Sequence, residues 1–278
     1  MLNALSFDTQ KRSTNSFSLQ DAQYALESAS SAKDFLLLFK LRRAIETSKT
    51  NPCYILNALS TTDKYDLTAR HVMVRNKKNN MLIGGFRLIQ TSGATLFSSE
   101  STFDISVLKE DSGKILEMSR MFLLPEHKHK GLLQFVATFV HEYCGLTQSK
   151  TIISCQSLNT SASQLAALSA RYFARQGLIN NKFTCPVSKS CHVPNFQHWY
   201  KHFNEQLSKN EIQECSTLLS TGFQESLLMG ATVSAIPALD RRTNRIDFLT
   251  ILDKNDLNKS LWKKSFSPCE SSAKLSFS

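Results

Sequence analysis

A mixed α/β sheet flanked by helices is the fold class the sequence predicts, and three observations predict it. His71–Arg75 (HVMVR) and Met81–Ile89 (MLIGGFRLI) read as two strands joined by NKKNN, whose Asn and Lys content suits a hairpin connection. Ile115–Leu124 is a third strand, and a basic turn leads from it into an apolar helix over Gly131–Leu146. Thr151–Cys155 (TIISC) then returns to strand. An antiparallel hairpin followed by alternating strands and helices indicates a mixed, mostly antiparallel central sheet.

Taken in order, residues 1–30 are rich in Ser, Thr, Asn and Gln and read as a loosely structured or partly helical lead-in. From Lys33 to Ile45, the residues Phe35, Leu38, Phe39, Arg42 and Ile45 fall on one helical stripe, which SKTNP ends. In the helix after the third strand, Leu132, Phe135, Val136, Phe139, Val140 and Tyr143 share one face, so that helix is expected to pack on the sheet. A helix over 161–176 opens on SASQ, the segment 180–202 has no clear period, and a late helix near 205–220 precedes strands at Ala231–Ile236 and Ile246–Leu252. The main domain is read as 31–256, with a basic tail over 257–278.

A chain of 278 residues with 41% hydrophobic content can bury a sizeable core. No run approaches the ~18–20 apolar residues of a membrane span, and the first residues lack the pattern of a secretory signal. Seven scattered cysteines suit reduced thiols better than a disulfide framework. A cytoplasmic protein is therefore expected. The net charge of +10 favours an anionic partner, whether nucleic acid, a membrane surface or an acidic protein. Basic residues are spread along the chain rather than gathered in one helix with aromatics between them, which argues against nucleic acid.

Four constellations carry chemistry. Glu117 and Arg120 lie three apart on one strand, so regular alternation sends them to opposite faces and each needs its own partner. The turn Pro125–Leu133 (PEHKHKGLL) leads basic side chains and a glycine into a helix N-terminus, where an anion can meet free N–H groups; a solvated basic loop is the plain alternative. Cys185, Cys191, His192, His198 and His202 offer thiols and imidazoles, but C-x5-C-H-x5-H-x3-H is not a paired zinc spacing, so no metal site is expected. Asp63 and Asp66, with His71 and Arg87 further on, are either turn residues or a carboxylate pair that grips a cation.

Read in order, Asp63-Lys64-Tyr65-Asp66 with His71, MLIGGFRLI with Arg87, FSSESTFDISVL, LEMSR with Glu117 and Arg120, the turn before Gly131, and ATVSAIPALD with IDFLTIL resemble the GNAT-fold N-acyltransferases of the ornithine lipid biosynthesis group, relatives of acyl-homoserine-lactone synthases. The likeness spans roughly residues 33–255. Where the family's phosphate turn commonly carries arginine, Lys128, His129 and Lys130 stand here, keeping charge but not bidentate geometry. The resemblance implies a GNAT-like sheet with a slot for a pantetheine arm and an acyl donor carried on acyl carrier protein, with no bound cofactor or metal.

On that resemblance, Lys128, His129, Lys130, Gly131 and Leu132 would hold the phosphopantetheine. Glu117 would accept the proton of the attacking amine, N–H groups near Met121–Leu123 would polarise the thioester, and Arg120 would anchor an anion or order the acidic cluster around Asp63, Asp66 and Glu100. Asp63, Asp66, Arg87 and Glu100 would bind the acceptor. The implied reaction is transfer of a (3-hydroxy)fatty acyl chain to the α-amine of an amino acid, ornithine first, giving a lyso-aminolipid. A signal synthase consuming S-adenosylmethionine and a non-catalytic binding module are the alternatives. Leu257–Phe266, with Leu257, Leu261 and Trp262 among lysines, suggests attachment to the anionic inner face of a membrane.

Overall fold

The computed structural model describes residues 17–47, 62–91, 96–111, 113–203 and 207–254. Its strands are β1 (Ser18–Gln20), β2 (Tyr24–Ser28), β3 (Arg70–Asn76), β4 (Met81–Gln90), β5 (Ile115–Leu123), β6 (Thr151–Ser157), β7 (Thr232–Val233), β8 (Ala238–Asp240) and β9 (Arg245–Asp253). Its helices are α1 (Ala32–Thr47), α2 (Ser106–Asp111), α3 (Lys130–Thr147), α4 (Ser163–Arg175), α5 (Phe196–His202), α6 (Lys209–Leu218) and α7 (Thr221–Leu228). The strands form one sheet in the order β1-β2-β3-β4-β5-β6-β9-β7, with β8 also on β9. Every pairing is antiparallel except β5 with β6. The expected class, α/β with a mostly antiparallel sheet, is the one observed.

Strand alternation sorts the side chains. Val72, Val74, Phe86, Leu88 and Leu116 meet the stripe Leu132, Phe135, Val136, Phe139, Val140 and Tyr143 of α3, and all of these are buried. Each such side chain contributes about 1.5–3 kcal/mol when fully buried. On the opposite face, Leu38 and Phe39 of α1 pack on Met73 and Phe122. Further along that face, Phe97, Phe103, Ile105 and Leu108 cover Ile89, Ile115, Ile153, Leu249 and Ile251. α4 closes a separate core with Phe173, Phe223 and Phe248.

Gly85 lets α1 approach, and Gly84 lets β5 approach. A Cβ on Gly85 would stand 2.6 Å from Leu38 Cδ1 and 2.7 Å from the Val72 carbonyl, and one on Gly84 would stand 2.4 Å from the Phe122 carbonyl. The pair in MLIGGFRLI therefore clears the space between helix, strand β4 and strand β5.

The structure corrects part of the sequence reading. Residues 18–28 are not a loose lead-in; they supply β1 and β2 at the edge of the sheet, with Phe17, Leu19, Tyr24 and Leu26 buried at alternate positions. Segment 180–202 contains α5, while α7 and β8 are additions that the sequence reading did not include. The tail 257–278 lies outside the described residues.

Candidate active site

The charged centre is built on the face that α1 covers. Arg42 sits on the apolar stripe of α1, 1% exposed, and its two terminal nitrogens donate to Asp66 at 3.2 and 2.8 Å. Arg87, also 1% exposed, donates to Asp66 at 3.0 Å, to Asp63 at 2.6 Å and to Ser119 Oγ at 2.9 Å. Arg120 donates to the other oxygen of Asp63 at 2.9 Å, and its guanidinium lies 3.8 Å from Glu46. Asp63 and Asp66 are held by a short 3-10 turn, Lys64–Leu67, in which each carboxylate accepts from the other's backbone N–H. They are turn formers and ion-pair partners at once.

Three arginines thus face Asp63, Asp66 and Glu46, and the cluster balances. Burial would push the Asp66 carboxyl up, but the hydrogen bonds and charge of Arg42, the Asp63 N–H and Arg87 bring it down to about 2. Asp63 is lowered too, against its burial, by Arg87 and Arg120. Burial lowers His71, whose Nε2 lies 3.0 Å from the Asp66 carbonyl, between the edges of Phe35 and Phe39. The carboxylate pair therefore grips the chain's own arginines rather than standing open for a cation. Its accessible edge is Asp63, Arg120 and Glu46.

Arg120 and Glu117 do not follow simple alternation. Arg120 has φ 53°, and the register of β4 with β5 slips there, Gly85 opposing Phe122 while Arg87 opposes Ser119. This bulge inserts a residue and carries the Arg120 side chain to the Asp63 that Arg87 also holds. A bulky residue in the left-handed region is strained, and such strain gathers at functional sites.

Glu117 is 1% exposed and fully engaged. One oxygen accepts from the Ser98 hydroxyl and N–H, the other from the Ser99 N–H at 2.9 Å and hydroxyl at 2.8 Å. Its carboxylate anchors the turn Ser98–Ser101, so taking up a proton would require giving up one of these donors. Glu100 belongs to the same turn: it accepts from the Phe97 N–H at 2.7 Å and pairs with Lys109, not with the arginine–aspartate cluster.

The basic turn is partly self-satisfied. His129 caps α3, its Nδ1 accepting from the Leu132 N–H at 3.3 Å, which makes Nε2 the protonated nitrogen and a donor to Tyr24 Oη at 2.9 Å. Lys130 lies 3.6 Å from Glu225. Lys128 is exposed, and the N–H groups of Lys130 and Gly131 are what the turn offers to an anion. Gly131 is not demanded by crowding, since a Cβ there would meet the His129 ring at an ordinary 3.5 Å.

Beside these groups the sheet opens. β5 pairs with β6 only over Ile115–Glu117 against Thr151–Ile153. Beyond that point β5 stays with β4 as far as Leu123, and β6 stays with β9 as far as Ser157. The two strands part, leaving the β6-side edge of Met118–Leu123 without a partner strand among the described residues. A gap between parallel strands, next to a helix N-terminus, is a slot for an extended ligand that can bond to strand edges.

Among the described residues no group of three potential metal ligands converges. Cys185 is buried, and His192 Nε2 lies 3.0 Å from the Val187 carbonyl. Of the residues that matter here, the sequence reading left Arg42, Glu46, Ser98, Ser99 and Ser119 without a role. Arg42 had a visible signal, a charge inside an apolar stripe. The serines had none, because only the fold brings them to Glu117 and Arg87.

Residues 46–138 match the acetyltransferase (GNAT) domain family, about a third of the chain, from Glu46 through Asp63, Arg87, Glu117 and the basic turn into α3. No curated protein matches the chain in sequence. Among solved structures, it is similar to FeeM, an N-acyl amino acid synthase from uncultured soil microbes, at 10% identity and TM-score 0.46, over 86% of this chain and 97% of that one. It is similar to a GCN5-related N-acetyltransferase from Brucella melitensis at 10% identity and TM-score 0.48, over 93% and 90%. The third is the AHL synthase LasI, at 12% identity and TM-score 0.45, over 86% and 94%. The chain is thus a mixed α/β, GNAT-like fold whose stretch from Glu46 to Thr138 matches the acetyltransferase (GNAT) domain.

Proposed function

We propose that this protein is an N-acyltransferase that moves a (3-hydroxy)fatty acyl chain from acyl carrier protein to the α-amine of an amino acid, ornithine first, giving a lyso-aminolipid. The observation that carries the reading is the parting of β5 from β6 directly beside the arginine–aspartate cluster. A thioester on a pantetheine arm fits such a slot, with its carbonyl against the strand edge at Met121–Leu123 and its phosphate at Lys128 and the N–H groups of Lys130 and Gly131. His129 and Leu132 shape that turn through the cap instead of contacting the phosphate directly.

Arg120 is the cation that an amino-acid carboxylate would meet, because Arg42 and Arg87 are enclosed. Asp63, itself held by Arg87 and the Asp66 turn, keeps Arg120 in place, while Glu117 and Glu100 fix the Ser98–Ser101 turn. A +10 chain attracts the acidic carrier protein and an anionic bilayer alike, so the reading includes loose attachment at the inner membrane face, where a lipid product leaves.

The test is direct. Purified protein with acyl carrier protein bearing a 3-hydroxyacyl chain should release free thiol when ornithine is added, and mass spectrometry should find the amide. Thiol release that requires S-adenosylmethionine and yields a lactone would move the protein to the signal synthases. No release with any amine would sink the transferase reading.

A further inference from the structure

Glu117 has both oxygens engaged, yet an amine must lose a proton before it attacks. A second carboxylate stands one strand beyond the gap, next to the part of β6 that has left β5. Asp247 of β9 lies opposite Ser157 of β6, whose hydroxyl donates to Asp247 Oδ1 at 2.6 Å. Asp247 is 8% exposed, and its Oδ2 accepts no hydrogen bond from the described residues. That oxygen is reached by solvent, so it is open to accept a hydrogen bond or a proton from a ligand beside it.

The register sets its height. Glu117 and Ile153 are the last pair between the parallel strands. Four residues beyond each stand Met121 and Ser157, so both lie ~13 Å along their strands from that pair. The bulge at Arg120 absorbs one residue and shifts the match toward Phe122. Ser157, and with it Asp247, therefore faces the stretch Met121–Leu123 across the opening.

Cys155 stands between these levels. Residues 153, 155 and 157 alternate onto the face that carries Glu117. Cys155 keeps an exposed surface although protein surrounds it, which is the condition of a cleft wall. Burial, then the charges of Asp247, Glu117 and Asp240, push its thiol well up, so it stays neutral and no acyl-enzyme is expected there. The charged groups that face Asp247 are Asp240 on β8, Arg245 on its own strand and Arg242 in the turn between them.

We propose that Asp247, oriented by Ser157, accepts the proton of the attacking amine, an inference that rests on the transferase reading above. The ammonium gives one proton to Asp247 Oδ2, and the freed lone pair forms the C–N bond at the thioester carbonyl. When the tetrahedral intermediate collapses, the C–S bond breaks with its electron pair on sulfur, and the remaining extra proton on nitrogen passes to that thiolate. The products are an amide, a free thiol and a proton on Asp247, which solvent removes. Burial first, with the charge of Asp240, pushes Asp247 up to about 6, while the Ser157 hydrogen bond, Arg245 and Arg242 pull the other way. That is the range a general base needs near neutral pH.

The experiment is the pH profile of turnover for the wild-type protein, Asp247→Asn and Ser157→Ala. Wild-type kcat/KM should fall below about pH 6, following the Asp247 carboxyl. Asp247→Asn should lower kcat by ~10²–10⁴-fold, leave the donor KM unchanged and lose that acid limb. Ser157→Ala should stay active with the limb moved to higher pH, because the carboxylate has lost its donor. A folded-state value above the ordinary 3.8 adds stability at low pH that is lost as pH rises through about 6, so Asp247→Asn should fold at pH 8 at least as well as wild type. Unchanged turnover in Asp247→Asn, or a limb that Ser157→Ala does not move, would overturn the role of Asp247 and leave the transferase reading standing. A wild-type protein that releases no thiol from the carrier donor would overturn both.

Discussion

Asp66 accepts three guanidinium hydrogen bonds, two from Arg42 and one from Arg87, where Asp63 accepts one each from Arg87 and Arg120. Asp66→Asn removes the carboxylate charge that buried Arg42 and Arg87 share and should cost about 3–5 kcal/mol of stability, read from urea unfolding at pH 7. The acid sign follows from the same pairing. Its carboxyl is lowered from 3.8 to about 2, so its contribution is complete above pH 3.8 and is lost as pH falls toward 2. Wild type should weaken steeply over that window, while Asp66→Asn, already without the charge, should show a flatter response. Glu117 makes a different point. The sequence suggests a base whose amide variant folds normally and turns over slowly. With four donors converging on its oxygens, Glu117→Gln instead turns an NH₂ group toward at least one of them, and should lose about 1–3 kcal/mol in addition to any change in rate. A melting temperature equal to wild type would show that the Ser98–Ser101 turn does not depend on the carboxylate.

At the scale of elements, the long pieces were legible and the short or irregular ones were not. α1 and α3 declare themselves through apolar stripes, and every member of the α3 stripe is buried. β1 has three residues and β2 five, too few for their alternation to stand out in a Ser- and Gln-bearing stretch, and the pairing of β1 with β2 and of β2 with β3 depends on contacts that only the folded sheet supplies. The bulge at Arg120 was invisible for a local reason: nothing in LEMSRMF announces a left-handed arginine, and strict period two gave the wrong face. From the sequence, Asp63, Asp66, Arg87 and Glu100 read as one acceptor-binding group and Arg120 as a companion of Glu117; the fold instead joins Arg120 to Asp63 through the extra residue in β5 and pairs Glu100 with Lys109. Gly85 tests how closely α1 must sit. Gly85→Ala places a methyl against Val72 backbone and Leu38, and should destabilise by about 1–3 kcal/mol through overpacking. A thermal melt unchanged from wild type would mean that α1 can retreat without loss.

At the scale of the molecule, the sheet is two sub-sheets, β1–β5 and β6–β9, joined by a seam of three residue pairs. A break within a sheet is open to both of its faces, whereas a pocket on one face has a single mouth. α3 and its basic turn lie on one side; the face opposite carries Arg120, Asp247 and the α1 helix. Two substrates entering from opposite faces need not pass one another, and neither must leave before the other arrives. For the proposed transfer this fixes the form of the rate law. Initial-rate lines at several fixed amine concentrations should intersect, as they do when both substrates are bound before any product departs. Each product analogue should compete only with the substrate whose face it shares. Parallel lines would mean that the chain carries the acyl group covalently between two half-reactions, which an opening with two mouths gives it no reason to do.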